Sequence, residues 1–198
     1  MQAAPPSELR DKVRGAYSAA ADSPTGKHPF PVGRAFAGSL GYPAALLDTL
    51  PSAAVEAFAG VSNVSLFAEI PEGATVLDLG CGAGLDSLIA ARRVGPSGKV
   101  IGIDFSGTML DRARQAVQET AIHNLSFKQA DAEHLPLGPA SVDVALVNGI
   151  FNLNPARESI FRQLARVLRS GGLVYAAELI LASPLPVNVK QTDADWFA

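Results

Sequence analysis

The sequence predicts an α/β protein built on a doubly wound, mostly parallel sheet, and two observations support this fold class. Residues 74–104 read as a strand, a glycine-rich turn, a helix and a second strand that closes on Asp104. Short apolar runs that suit buried strands then alternate with runs of helical periodicity as far as residue 180. A right-handed crossover places the glycine-rich turn at the carboxyl edge of such a sheet, where open α/β sheets bind ligands.

The elements of this first unit follow from their residues. Residues 74–79 are mostly apolar and carry one charge, Asp78, as expected of a strand buried on both faces. The next helix has apolar residues at helical spacing from Leu85 to Ile89 and two arginines near its end, which suit a helix C-terminus. Residues 100–103 form the second apolar strand. The unit is therefore a βαβ crossover.

The glycine-rich turn differs from a dinucleotide fingerprint. The pattern G-x-G-x-x-G requires a small residue at position 85, where this chain has Leu85. The chain has G-x-G-x-G instead, with Asp78 two positions before the first glycine, and an acid there suits a cationic ligand better than a pyrophosphate. S-adenosylmethionine (SAM) carries an ammonium, a sulfonium and a ribose diol but no phosphate. Asp104 is placed to accept both ribose hydroxyls, and an NAD-dependent oxidoreductase is the alternative that Leu85 counts against.

The motif VLDLGCGAG, followed by GIDFS, resembles the first two motifs of class I SAM-dependent methyltransferases. The stretches QADAEHLPL and LARVLRSGGLVYAAEL are similar to later segments of the same family. The resemblance implies a Rossmann-like fold, SAM as the cofactor and methyl transfer as the activity. The cofactor-binding residues of the first two motifs are expected to be Asp78, Gly80, Cys81, Gly82, Gly84, Asp104 and Phe105.

Three downstream residues are expected at the adenine of the cofactor. Met109 lies in the first turn of a helix predicted over 107–119, where it either packs on the adenine, as in the wider family, or belongs to the core. Asp131 follows the third strand, and a carboxylate there can accept a hydrogen bond from the adenine amino group. The backbone amide of Ala132 can then donate to a ring nitrogen.

Residues 1–70 are predicted to form a helical lobe that packs over the sheet edge, leaving 71–198 as the SAM-binding core of one compact unit. A first helix from Glu8 to about Ala20 is followed by a loop and short helices. The order VRGAY, a loop, then LGYPAALLDTLP is similar to the arsenite methyltransferase family. That resemblance implies that Tyr17 reaches the bound SAM, and a role as an amphipathic core residue is the alternative.

The chain departs from the arsenite methyltransferase pattern at its metalloid-binding positions. That pattern has one cysteine just before the core, where Val61 stands nearest, and another after the fourth strand, where this chain has Gly149. Arsenite is soft and thiophilic, so it needs thiolates to hold it. Cys81 alone cannot supply two or three. The sequence therefore counts against arsenite methylation, and no metal site is predicted.

The fourth strand, predicted over 142–147, is followed by Asn148, which is expected to orient an acceptor or contact SAM, with loop capping as the alternative. A helix is predicted to start at Asn154 with Pro155 in its first position and to stop at a Ser-Gly-Gly sequence. A fifth strand is predicted over 173–180. Class I methyltransferases normally have two more strands. We therefore expect a shortened chain, or a second copy that covers the apolar edge as a homodimer.

Composition limits the remaining possibilities. The 198 residues are 48% hydrophobic and 18% charged, which describes a globular chain with an ample core. The net charge of −3 offers no basic field, so no nucleic-acid partner is expected. One cysteine fits a reducing compartment, and no apolar run of about 20 residues could span a membrane. These features predict a cytoplasmic protein.

The predicted function is transfer of a methyl group from SAM to a small-molecule acceptor. Methyl transfer depends mainly on positioning and removal of water, so no acid or base is assigned and the catalytic residues stay unknown. The alternatives are a SAM-binding protein of the same fold without catalytic activity, and an arsenite or metalloid methyltransferase.

Overall fold

The computed structural model describes residues 6–180, and side chains from residue 8 onward. A five-stranded, all-parallel sheet runs in the order β3-β2-β1-β4-β5. Its strands are β1 (Thr75–Leu79), β2 (Lys99–Asp104), β3 (Leu125–Gln129), β4 (Val142–Asn148) and β5 (Leu168–Ala177). The helices are α1 (Pro6–Asp22), α2 (Arg34–Ser39), α3 (Ala44–Leu47), α4 (Ser52–Val55), α5 (Val64–Phe67), α6 (Leu85–Val94), α7 (Gly107–Gln118) and α8 (Arg157–Val167).

The predicted doubly wound architecture is confirmed. The central strand β1 lies between β2 and β4, and its Leu77 pairs with Ile101 on one side and Ala145 on the other. Strand order reverses at β1, because β2 and β3 lie on one side of it and β4 and β5 on the other. Helices α5 and α6 cover one face of the sheet, where Val76 is fully buried, and α8 covers the opposite face through Ile160. The crevice at β1 is where ligands bind in such sheets.

The N-terminal lobe shares its core with the sheet domain. Tyr42 and Phe58 of the lobe pack with Leu85 and Leu88 of α6 in one apolar cluster. Helix α1 packs against α7, where Ser106 caps the helix by accepting the backbone N–H of Met109. Two short helices, α2 and α5, were not predicted, because four to six residues are too few to show a helical period. The division of the chain at residue 70 stays a prediction.

Two predicted boundaries are wrong. Helix α8 begins at Arg157 rather than at Asn154, whose side-chain oxygen accepts the backbone N–H of Ala156 and so holds the turn before the helix. The Ser-Gly-Gly sequence does not stop the helix, since β5 already begins at Leu168. Val142 pairs with Leu168 and Val144 with Leu173, so the residues between them bulge out of the ladder, where Gly171 has a φ of 80°.

Strand β5 lies at the edge of the sheet among the described residues. Leu173 and Val174 on it are 49% and 41% exposed, and the half-exposed Phe67 packs edge-on against Tyr175. The expectation that a second copy covers this edge stays a prediction. The sequence also predicts a loop over 183–190 and a short helix over 193–198, and both lie outside the described residues. In residues 6–180 no helix has the length and apolar character that crossing a membrane requires.

Candidate functional site

A cleft opens at the carboxyl edge of β1, between the glycine-rich turn and the helical lobe. Its empty space, including the part open to solvent, is about 1050 Å³. Eleven of the twelve predicted cofactor-binding residues line it: Tyr17, Asp78, Gly80, Cys81, Gly82, Asp104, Phe105, Met109, Asp131, Ala132 and Asn148. The twelfth, Gly84, forms the end of the turn where α6 begins. The structure therefore gathers residues spread over 132 positions of the sequence around one space.

The glycine-rich turn folds back onto β2. The backbone N–H groups of Gly80 and Cys81 both donate to the carbonyl of Ile103, at 2.8 and 3.1 Å. A side chain on Gly80 would collide with Ile150. On Gly82 the position of a Cβ has only the sulfur of Met109 within 4 Å, at 3.9 Å. Gly82 is thus the glycine at which the backbone faces the open cleft, and a ligand can approach it closely.

Asp104 is tied to the turn. It is 7% exposed, its Oδ2 accepts the backbone N–H of Gly82 at 2.9 Å, and its Oδ1 accepts that of Ser106 at 2.8 Å. Burial raises the pKa of this carboxyl above its usual value. Each carboxylate oxygen can accept a second hydrogen bond, so the bonds to the turn leave capacity for ribose hydroxyls.

Asp78 is a buried acid on the opposite side of the turn. Its Oδ2 accepts a hydrogen bond from the hydroxyl of Ser87 at 2.5 Å, and it is 2% exposed. Burial, and then the neighbouring charge of Asp86, raise the pKa of Asp78 to about 8. A cation bound beside it would favour the ionised form.

Asp86 is a functional-site residue that sequence reasoning missed. Its Oδ1 accepts hydrogen bonds from the hydroxyl of Tyr42 at 2.5 Å and from the hydroxyl of Ser65, and its Oδ2 accepts the side-chain amide of Asn148 at 2.8 Å. Burial raises its pKa. The sequence feature that could have identified Asp86 is an acidic residue on the apolar face of α6, one position after Leu85. This carboxylate joins the lobe to the sheet edge.

Asn148 uses its whole side-chain amide inside the protein. The oxygen accepts the backbone N–H groups of Val61 and Ser62, at 2.8 and 3.0 Å, and the nitrogen donates to the carbonyl of Ser62 and to Asp86, both at 2.8 Å. An amide has two donors and two acceptor positions, so these bonds satisfy it. The geometry favours holding the lobe in place, and direct contact with SAM stays a prediction.

Asn148→Ala is expected to loosen the lobe. The change leaves two backbone N–H groups and one buried carboxylate oxygen without partners, which costs about 2 kcal/mol or more in the free energy of unfolding. We expect the melting temperature to fall by about 4–8 °C. Asn152→Ala is the control, because within residues 6–180 its side chain bonds at the exposed carbonyl of Leu179 and at no buried group. A melting temperature of Asn148→Ala equal to that of the control would contradict the assigned role.

Helix α1 covers the end of the cleft expected to hold adenine. Asp131 pairs with Arg10 at 3.2 Å and with Arg14 at 3.8 Å, and the Arg14 guanidinium lies 5.4 Å from the centre of the Phe105 ring. Met109 is buried beneath the glycine turn. The arginines were not singled out from the sequence, since charged residues on an amphipathic helix usually face solvent. The adenine contacts of Asp131, Ala132 and Met109 stay predictions.

Tyr17 of α1 lines the cleft, and its contact with SAM stays a prediction. Its ring stacks on Phe30 with centroids 4.5 Å apart. Burial, and then the charge of Asp104, raise the pKa of its phenol, so the hydroxyl stays protonated at neutral pH.

Cys81 is also buried, and burial raises the pKa of its thiol. It therefore stays a neutral thiol. Glu178 accepts the backbone N–H groups of Phe151 and Asn152.

The two positions that correspond to cysteines in the arsenite methyltransferase pattern meet in the structure. A Cβ built on Gly149 would lie 2.9 Å from Cγ1 of Val61, and Gly149 lines the cleft. The lobe and the end of β4 therefore come together at this point without a thiol. Nearby, a Cβ on Gly60 would lie 2.5 Å from Nδ2 of Asn148, so both glycines permit close packing of the lobe.

Comparison with known proteins decides the family. The sequence pattern of the methyltransferase domain matches residues 70–197. The chain belongs to the methyltransferase domain family. It is 40% identical over 136 residues to an arsenite methyltransferase of Halobacterium salinarum, covering 69% of this chain and 34% of that protein. It is 39% identical over 106 residues to a demethylmenaquinone methyltransferase of Lactococcus lactis, covering 54% of this chain and 42% of that protein.

Solved structures of this methyltransferase fold agree with that assignment. The arsenic(III) SAM methyltransferase of Chlamydomonas reinhardtii is 28% identical with a TM-score of 0.55, over 72% of this chain and 48% of that one. The [4+2]-cyclase SpnF is 28% identical with a TM-score of 0.51, over 56% of this chain and 41% of that one. The chain thus spans less than half of each of these relatives.

Proposed function

We propose that this methyltransferase domain binds SAM in the cleft and transfers its methyl group to a small-molecule acceptor. The observation that carries the proposal is the pair of buried carboxylates, Asp78 and Asp104, on either side of the glycine turn. Asp104 fits the ribose hydroxyls, and Asp78 fits the ammonium of the amino-acid portion. An acid at the position of Asp104 also holds the ribose of NAD, so it is Asp78 beside the turn that counts against the pyrophosphate of a dinucleotide.

The chemistry requires little beyond positioning. SAM supplies a methyl group activated by the positive charge of its sulfonium. The protein's residues hold the reactants in line and exclude water, which lowers the entropic cost of the step. Apolar residues of the lobe and of the loop after β4 also line the cleft, and we propose that the acceptor binds against them: Ala57, Phe58, Ile150 and Leu153.

Formation of S-adenosylhomocysteine tests this function. The purified chain would be incubated with SAM and a panel of thiols, phenols, amines and arsenite. The proposal expects acceptor-dependent product with at least one organic acceptor, and less product from Asp104→Ala when SAM is below its saturating concentration. Tight SAM binding without turnover of any acceptor would contradict methyl transfer and favour a SAM-binding protein without catalysis. A similar structure, SpnF, is named a [4+2]-cyclase rather than a methyltransferase, so the assay for methyl transfer is needed in addition to the assay for binding.

SAM binding is expected to release a proton near neutral pH. The pKa of Asp78 is about 8, so below that pH its carboxyl is protonated in the free protein, whereas pairing with an ammonium requires the carboxylate. Affinity should therefore rise by up to about tenfold per unit between about pH 6 and pH 7.5. Calorimetry in two buffers of different ionisation enthalpy measures the released proton. If Asp78→Asn released the same number of protons on binding SAM as the parent chain, Asp78 would not be the partner of the ammonium.

The raised pKa of Asp78 also makes the free energy of unfolding depend on pH. Because the folded-state pKa of Asp78 lies above its unfolded-state value of about 3.9, the folded protein binds more protons between these two values. The contribution of Asp78 to the free energy of unfolding is therefore fully present below about pH 4, and it is lost as the pH rises towards about 8. Near neutral pH the buried carboxyl of Asp78 therefore lowers the free energy of unfolding of the ligand-free protein. A cation bound beside it would restore that free energy.

Arsenite methylation is a second candidate because a relative that shares 40% identity carries that name. The geometry opposes it, since Val61 and Gly149 meet where thiolates would be needed. We expect no arsenite-dependent product above the no-acceptor background, measured as S-adenosylhomocysteine and as methylated arsenic by mass spectrometry. Methylated arsenic formed by the parent chain would overturn this expectation and make arsenite the acceptor.

A further inference from the structure

Asp86 is a buried carboxylate to which the proposed binding of SAM assigns no contact. It lies in the first turn of α6, is 6% exposed and lines the cleft. A buried carboxylate adds little net stability even when it is hydrogen-bonded, because it has lost its hydration. Such a group can instead fix one arrangement of the elements that it joins. The elements joined by Asp86 therefore indicate what it does.

One wall of the cleft is a loop of the lobe. Residues 56–63 connect α4 to α5 without regular secondary structure, and residues 57–60 of this loop line the cleft. A segment of this kind has no ladder of backbone hydrogen bonds and opens more easily than a helix or strand. Its position against the cleft therefore depends on the groups that hold it from outside.

Asp86 is bonded to groups that hold this loop at both of its ends. Tyr42 donates its hydroxyl to Oδ1, while its ring packs edge-on against Phe58 of the loop, with centroids 5.2 Å apart. Ser65, just after the loop, donates its hydroxyl and its backbone N–H to the same oxygen. Asn148 donates to Oδ2 and accepts two backbone N–H groups of the loop. One carboxylate thus links α6, the end of β4 and the loop.

We propose that Asp86 is a positioning residue for methyl transfer, which holds the loop of residues 57–60 so that the acceptor lies in line with the methyl group. The inference rests on the proposed function. The hydrogen bonds of Asp86 run to groups of the protein itself, so it acts through the loop and not on the reactants. A displacement of about 1 Å in the reacting geometry can lower a rate by about a hundredfold.

Steady-state kinetics of Asp86→Asn test this role. The amide has the shape of the carboxylate, but in either orientation its nitrogen faces a donor, the amide of Asn148 or the backbone N–H of Ser65. The acceptor is the organic compound that yields most product in the panel, and SAM is saturating. We expect kcat/KM for this acceptor to fall by at least about tenfold, with a higher KM.

Binding of SAM to Asp86→Asn should change much less. The lost charge attracts the cationic cofactor less strongly, but it also no longer raises the pKa of Asp78, which favours the carboxylate that pairs with the ammonium. Because these two effects oppose each other, we expect the Kd for SAM, measured by calorimetry, to stay within about threefold of the parent's.

Asp143 provides the matched control, because it is an acid with structural bonds at the amino end of β1, away from the cleft. Its side chain is 14% exposed, its Oδ2 accepts the backbone N–H of Thr75 at 2.7 Å, and its Oδ1 pairs with Arg169 at 2.6 Å. Asp143→Asn should lower the melting temperature and leave the acceptor KM unchanged, since loss of folded protein lowers kcat alone. A merely structural Asp86 would behave in the same way.

The outcomes separate the residue's role from the function. An acceptor KM equal to the parent's in Asp86→Asn, or a loss of SAM affinity as large as the loss of kcat/KM, would overturn the proposal. If Asp86→Asn does not fold, Tyr42→Phe replaces it, because this change removes one donor to Asp86 and keeps the ring against Phe58. It should raise the acceptor KM, and a parent-like KM would contradict the proposal. No turnover of any acceptor by the parent would instead remove the proposed function, and this inference with it.

Discussion

Gly82→Val is expected to abolish SAM binding while leaving the fold in place. A Cβ on Gly82 has only the sulfur of Met109 nearby, at 3.9 Å, so a larger side chain projects into the cleft rather than into the core. The bulk would occupy the space that the ligand needs next to the turn. We expect at least about a hundredfold loss of affinity for S-adenosylhomocysteine, equivalent to about 2.7 kcal/mol or more.

The control for this variant must carry the same backbone strain. Gly82 has a φ of 51°, a conformation that β-branched residues rarely adopt, so some loss of stability is expected from strain alone. Gly171 has a φ of 80° and no atom within 4 Å of its Cβ position, and it lies in β5 away from the cleft. Gly171→Val should lose similar stability and keep full affinity. Parent-like affinity in Gly82→Val would show that the turn does not face the ligand.

Asp104→Ala is expected to produce the second largest loss. The carboxylate is assigned two ribose hydrogen bonds, and bonds to a charged group contribute about 1.5–3 kcal/mol. It also accepts the backbone N–H groups of Gly82 and Ser106, so its removal loosens the turn that the ligand contacts. Affinity for SAM should therefore fall by about 10–150-fold, with a lower melting temperature, measured by calorimetry and thermal unfolding.

Asp111, an acidic residue on the surface, provides the control variant for Asp104→Ala. Asp111 lies on α7, its side chain is 77% exposed, and it pairs with Arg114 of the same helix. Asp111→Ala removes one negative charge from the protein without touching the cleft, so its affinity for SAM should match that of the parent. If Asp104→Ala bound SAM as tightly as Asp111→Ala does, the ribose assignment would be wrong.

The sequence predicts the central part of the fold well because that part is locally encoded. The strand, turn and helix of residues 75–94 are consecutive, and each has its own pattern of apolar residues or glycines. The parallel pairing of β1 with β2 follows from the crossover between them. For the same reason the sequence alone predicts that Asp78, Gly82 and Asp104 lie at one site.

The remaining features depend on contacts between distant residues. Asn148 reads as a loop residue in the sequence, and its bonds to Val61, Ser62 and Asp86 exist only because the lobe folds over β4. The start of β5 was misplaced because its glycines, which usually end a helix, instead form a bulge in a strand.

Calorimetric titration of the purified chain with SAM, S-adenosylhomocysteine and NAD tests the central claim most directly. The account predicts saturable binding of SAM and S-adenosylhomocysteine and no heat above dilution with NAD, since the buried acid Asp78 lies beside the glycine turn that would have to hold a pyrophosphate. Asp104→Ala should weaken the first two titrations in parallel. Binding of NAD, or no binding of either adenosyl ligand by the folded chain, would contradict the assignment of this cleft as a SAM site.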